Sequence, residues 1–144
     1  MLNHNFNYIN RLIAFGIFLL TFIVYFDTMA PTVSYWDCGE FIAVSHTLGV
    51  PHPPGSPFFL LLGRIFSMLP FNEDIAFRVN IISPLVSALA VMLLYLSIVK
   101  VVVHWRGKIY SLSDCLIVFG GGAAGALAFA FTDSHWFNAV EAEV

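Results

Sequence analysis

Charge is what this sequence has least of. Only 10% of its 144 residues are Asp, Glu, Lys or Arg, against about a quarter in an ordinary soluble domain. Hydrophobic residues make up 59% and the mean hydropathy is +0.85, so a free-standing soluble domain is excluded and an integral membrane protein is indicated. Cysteine is almost missing: Cys38 and Cys115 fit no metal-ligand spacing and predict no internal disulfide. Neither a glycine-rich nucleotide loop nor a metal-ligand cluster stands in the chain. No metal, no cofactor and no nucleic-acid partner are therefore expected.

What the chain does have is apolar length. A hydrocarbon core of about 30 Å needs roughly 20 apolar residues, and segments at about 12–30, 81–103 and 116–131 supply it. The second is interrupted only by Ser83, Pro84, Ser87, Ser97 and Lys100, and Lys100 lies near enough to the end to snorkel. The third carries Gly120, Gly121, Gly122 and Gly125, and Gly121-x-x-x-Gly125 reads as a packing seam before it reads as a dimerisation face. Arg11 is the one basic residue ahead of the first segment, no A-x-A site follows it, and Pro31 comes directly after Ala30. An uncleaved anchor fits this better than a signal peptide. The expected fold is all-α and integral to the membrane, with three transmembrane helices and short juxtamembrane helices in the first outer loop.

Arg11, Lys100, Arg106 and Lys108 flank the spans on one side, which assigns that side to the cytoplasm. Residues 31–80 and 132–144, which hold most of the acids, then share the non-cytoplasmic face, with Arg64 and Arg78 as exceptions. A bacterial inner membrane is the expected location. Within the outer loop, residues about 57–69 form an apolar stretch with Ser56 as N-cap, Pro57 at the first helical position and Pro70 as terminator. At 1.5 Å per residue it is about 20 Å long, too short to cross. It is expected to lie in the interface, with Arg64 reaching toward head groups.

Ionisable residues concentrate just after the first span. If Trp36 to Leu48 is helical, Asp37 and Glu40 stand on one face, with Val44 and Leu48 continuing the stripe. A carboxylate beside aromatic surface with little water is suited to take a proton from a hydroxyl. The alternative is that both acids serve the helix N-terminus, where the dipole favours them. His52 is framed by Pro51, Pro53 and Pro54, which makes it either a stiff arm presenting an imidazole or a turn into the next helix. His46 is expected to face head groups or another loop. Beyond the third span, Asp133 and His135 fit a solvated loop. Glu141 and Glu143 fit it less well, because they sit in the apolar frame Trp136-Phe137-x-Ala139-Val140-x-Ala142-x-Val144.

These residues carry a resemblance. Ala30-Pro31-Thr32-Val33-Ser34-Tyr35-Trp36-Asp37-Cys38-Gly39-Glu40-Phe41, then His52-Pro53-Pro54-Gly55-Ser56-Pro57, Arg78-Val79-Asn80, and Trp136-Phe137-x-Ala139-Val140-Glu141-Ala142-Glu143-Val144 resemble the start of a membrane family catalogued as domain of unknown function 2723. That family is regarded as glycosyltransferases of the multi-spanning GT-C type, similar in its animal members to protein O-mannosyltransferases. The latter carry an acidic motif followed by His-Pro-Pro; their acids are adjacent, whereas Cys38 and Gly39 intervene here.

The resemblance implies transfer of a sugar, mannose being one candidate, from a polyprenyl-phosphate donor to a hydroxyl of an exported protein, with inversion. Asp37, with Glu40 as the other candidate, would be the base. His52, Arg64, Arg78, Glu141 and Glu143 would bind substrate, the first three as candidates to meet the phosphate charge. It also implies that the 144 residues are one N-terminal membrane segment of a larger transferase, inactive alone. The competing class is a non-enzymatic scaffold or transporter module. A transporter would need acids at membrane depth, and the middle of each span holds no ionisable residue.

Overall fold

The computed structural model describes residues 2–107 and 111–142, with side chains from residue 5 onward. Among these, all regular structure is helical: α1 (Leu2–Thr28), α2 (Cys38–Thr47), α3 (Pro57–Met68), α4 (Ile75–Asn80), α5 (Ile82–Arg106), α6 (Leu112–Ala130) and α7 (Asp133–Ala139). Three stretches of the described residues are long and apolar enough to cross a membrane: Asn5–Thr28, Ile75–Arg106 and Leu112–Ala130. The protein is thus a multi-pass, all-α membrane protein, with three short helices between the first two long ones. The chain divides into two compact units, Met1–Ile23 with Ser87–His135, and Val24–Val86 with Trp136–Val144.

In the first unit, small residues let helices meet. A Cβ placed on Gly122 of α6 would lie 2.9 Å from Val99 Cγ2 and 3.2 Å from Tyr95 Cε2, both on α5, and one on Gly125 would lie 3.3 Å from Ile98 Cδ1. At Gly121 it would meet nothing within 4 Å. The seam therefore runs through Gly122 and Gly125, one residue out of step with the Gly121-x-x-x-Gly125 pattern. Phe6 stacks on Phe119 with ring centroids 4.7 Å apart. The α1 threonines bond back to their own helix, Thr21 donating to the Ile17 carbonyl at 2.9 Å and Thr28 to the Val24 carbonyl at 2.8 Å. α6 starts with a capping box: Ser111 Oγ accepts from the Asp114 N–H at 3.1 Å while the Asp114 carboxylate accepts from the Ser111 N–H at 3.2 Å. Asp114 also pairs with Arg106.

In the second unit, α2, α3 and α4 pack around Phe41, Ile42, Phe59, Leu60, Ala76, Val79 and Ile82, with Ala142 from the chain end. α2 and α3 cross closely at Ser45 and Gly63, where a Cβ on Gly63 would sit 2.7 Å from Ser45 Cβ. Pro57 opens α3 as expected, and its buried face (Phe59, Leu60, Gly63, Ser67) backs an outward stripe of Phe58, Leu61, Ile65 and Met68. The Arg64 guanidinium donates to the His46 carbonyl in the last turn of α2. Carbonyls at a helix C-terminus lack intrahelical partners and attract a cation, which explains the contact. His46 pairs through Nδ1 with Ser67 Oγ at 3.4 Å, so it too meets α3.

Candidate active site

Three hydrogen-bonded points fix the loop between α1 and α2. Asn80, fully buried at the end of α4, donates through Nδ2 to the carbonyls of Ala30 and Thr32, both at 2.9 Å. The Ala30 N–H donates to the Val140 carbonyl at 2.9 Å. Ser34 donates to Glu141 Oε2. Past these anchors the chain turns sharply: Trp36 is left-handed, φ 58°, a conformation a bulky residue adopts only when its surroundings impose it. Asp37 then becomes the N-cap residue of α2, and Glu40 lies in the first turn.

Asp37 occupies the capping position without capping, for its side chain accepts no hydrogen bond from the α2 backbone. The helix-serving alternative for Asp37 therefore lacks its hydrogen bond. Instead its Oδ2 lies 3.8 Å from His52 Nε2. Glu40 is engaged with both oxygens: Oε1 accepts the His52 backbone N–H at 2.9 Å, and Oε2 lies 2.7 Å from His52 Nδ1. The two readings of His52 are both realised. The Gly55 N–H donates to the His52 carbonyl at 3.0 Å, closing a turn, while the imidazole reaches back to α2 and packs 6.0 Å from the Phe41 ring.

The electrostatics follow from the contacts. Hydrogen bonds from His52 hold the Glu40 carboxyl below its ordinary value. The Glu40 hydrogen bond, then its charge, and more weakly the charge of Asp37 raise His52 above the ordinary histidine value. All three side chains remain open to solvent, 58%, 38% and 46% exposed for Asp37, Glu40 and His52. One ligand atom from each falls within 4.8 Å of the others, a spacing that would admit a small cation. Both Glu40 oxygens are already taken by N–H groups of His52, however, and no metal is assigned to the cluster.

The other predicted site residues lie elsewhere. Arg64 serves α2, and Arg78 Nη1 donates to the Leu69 carbonyl at the end of α3 at 3.0 Å. Glu141 is buried, 6% exposed, with Oε2 on Ser34 and Oε1 without a partner among the described residues. Glu143 lies outside the described residues. Sequence reasoning missed Ser34 and Asn80, which hold the loop that delivers Asp37. Both stood inside the recognised motifs, and a buried Asn donating two hydrogen bonds to carbonyls is a common way to fix a loop.

The site thus belongs to a polytopic helical membrane protein that presents a carboxylate and a carboxylate-braced imidazole at the end of its first span. Residues 37–144 match the family model described as the protein O-mannosyl-transferase TMEM260 N-terminal domain, and the chain belongs to that family. It is similar to protein O-mannosyl-transferase tmem260 of Dictyostelium discoideum, 33% identical over 131 residues covering 89% of this chain and 14% of the relative. The mouse protein O-mannosyl-transferase TMEM260 is 32% identical over 130 residues, covering 90% of this chain and 16% of the relative. The chain therefore spans about one sixth or less of the length of these relatives. No solved structure matches.

Proposed function

We propose that this chain forms the acceptor side of a membrane O-mannosyltransferase site, with a polyprenyl-phosphate mannose as donor and a Ser or Thr hydroxyl of an exported protein as acceptor. Family membership and the relatives' names support the sugar and the class of acceptor. Placement favours a lipid-linked donor, since the carboxylates stand one short loop beyond a membrane span and the sequence has no nucleotide-cradling loop. Both relatives are eukaryotic, which lends no support to the expected bacterial inner membrane. The site is assigned to the non-cytoplasmic face of a membrane, an organelle lumen in a eukaryote.

The observation that carries this reading is the division of labour between the acids. Glu40 spends both oxygens on His52, whereas Asp37 is half exposed and makes no cap bond. Asp37 is therefore the carboxylate free to orient the acceptor hydroxyl and draw its proton. In an inverting displacement the leaving phosphate lies across the anomeric carbon from the base. His52, 3.8 Å from Asp37, then belongs with the acceptor. Charge on the phosphate falls to other cations; Arg64 and Arg78 are the outer-loop candidates, and both already hold carbonyls. The rest of the donor groove is placed in the remainder of the full-length protein. A transporter reading gains nothing here, because Asp37 and Glu40 are exposed on a short helix and Glu141 is tied to Ser34.

The test is transfer by the full-length protein in membranes, using labelled polyprenyl-phosphate mannose and a Ser/Thr-containing peptide. Asp37→Asn should lower the rate by about a hundredfold or more at unchanged expression. Equal rates in wild type and variant would remove Asp37 as the base. No transfer by the wild type from any polyprenyl-phosphate sugar would remove the transferase reading.

A further inference from the structure

The His52 side chain is held more tightly than an arm needing only to turn the chain would be. Glu40 grips it twice, at the backbone N–H (2.9 Å) and at Nδ1 (2.7 Å). A ring nitrogen this close to a carboxylate is the one that carries the proton, so in the neutral ring the lone pair is left at Nε2. Nε2 is also the atom that faces Asp37, 3.8 Å from Oδ2. That distance is too long for a direct hydrogen bond, yet a single oxygen can sit at about 2.8 Å from both atoms at once, with roughly a right angle between the two contacts; a water can donate to both, whereas an alcohol donates its one proton to one of them.

We propose that the acceptor hydroxyl donates to Asp37 Oδ2 at the mouth of the gap facing His52 Nε2, that His52 is the final acceptor of its proton through a water in that gap, and that Glu40 is the positioning residue that aims the imidazole. The inference rests on the transferase reading above. In the step, the acceptor O–H bond breaks and an oxygen to anomeric-carbon bond forms. The bond from that carbon to phosphate breaks, with its electron pair leaving on the polyprenyl phosphate. Asp37 takes the proton, and once the glycosylated oxygen has left, a water bridging Oδ2 and Nε2 across the 3.8 Å gap passes it to Nε2; the resulting imidazolium, lying between two carboxylates, later loses it to solvent. A carboxylate that hands its proton on is restored as a base for the next turnover.

Two further observations fit this arrangement. Glu40, through its hydrogen bond and then its charge, shifts His52 upward, with Asp37 adding a smaller Coulombic part. The other titratable groups on the elements packed with α2 are turned to different partners: His46 to Ser67, Arg64 to the His46 carbonyl and Arg78 to the Leu69 carbonyl. The groups that face the imidazole are therefore the Glu40 and Asp37 carboxylates.

The experiment is the pH–rate profile of the full-length protein in membranes for wild type, Glu40→Gln, His52→Gln and His52→Ala. His52 works only when neutral, so the wild-type rate should rise with pH through a limb above the ordinary histidine value. Glu40→Gln should move that limb to lower pH. His52→Gln should erase the limb and lower kcat by about tenfold to a hundredfold with the donor KM unchanged, and added imidazole should restore part of the rate to His52→Ala. A profile of the same shape in wild type and His52→Gln, without imidazole rescue, would overturn the relay while leaving the transferase reading in place. Loss of wild-type activity on chelation, restored by Mn2+ but not in His52→Gln, would put a cation where the relay has a proton and overturn it. A wild type inactive at every pH would overturn both.

Discussion

Between α5 and α6 the chain is fitted by shape: Gly122 lies beneath Val99 and Tyr95, Gly125 beneath Ile98, and a single added methyl has to displace something. Around residues 30–34 it is fitted by hydrogen bonds, from Asn80 to two carbonyls, from the Ala30 N–H to Val140 and from Ser34 to Glu141. Apolar helices in lipid gain little from hydrophobic burial against each other, so close packing has to hold them. An irregular loop has the opposite need, because its backbone groups find no ladder and must be paired one by one. Rigid placement of Asp37 comes from the second kind of holding. Substitutions should therefore fail differently in the two regions.

The largest effect on folding is expected at Asn80. Asn80→Ala strips donors from the Ala30 and Thr32 carbonyls in a partly buried setting, at about 1–3 kcal/mol for each group left unsatisfied. Unfolding of the full-length protein in detergent should show it as a lowered midpoint. Transfer should fall as well, since the loop ahead of Asp37 is released. A variant of normal stability would mean that the loop is held by something other than these bonds.

Next in size is Gly122→Leu, which overpacks the seam at Val99 and Tyr95 and should cost about 3 kcal/mol. Here the signature is reversed: stability falls, while the surviving folded fraction transfers normally. Smaller again is Asp74→Ala. Asp74 caps α4 by accepting the Ala76 N–H at 2.8 Å, and losing it should cost about 1 kcal/mol, read in the same unfolding experiment.

Local properties of the chain were legible; relations between distant parts were not. Apolar length announced the three spans, because a hydrocarbon thickness is met residue by residue. Ser56, Pro57 and Pro70 marked α3 for the same local reason. The carbonyl partner of Arg64 was not legible because it sits on another helix, 18 positions earlier. Asn80 stood in view inside Arg78-Val79-Asn80, but its partners are 48 and 50 positions away. Spacing alone placed Asp37 and Glu40 together without ranking them. What separates them is His52, whose reach back to Glu40 depends on the path of the Pro51–Gly55 turn.

The smallest expected effect is also the one that most sharply tests the seam. Gly121 and Gly122 are adjacent and chemically identical, and a sequence pattern of four glycines in six positions gives no reason to prefer either. The rotation of α6 against α5 does: a methyl on Gly122 comes within 2.9 Å of Val99, and a methyl on Gly121 meets open space. Gly121→Ala should therefore leave stability within about 0.5 kcal/mol or raise it slightly, since alanine favours a helix interior over glycine by up to about 1 kcal/mol. Gly122→Ala should lower it. The pair is measured in one experiment on the full-length protein, as two unfolding midpoints against the wild type. If Gly121→Ala proves the more harmful, the open face of α6 is covered by another helix of the larger protein, and the small residues along α6 serve two seams rather than one.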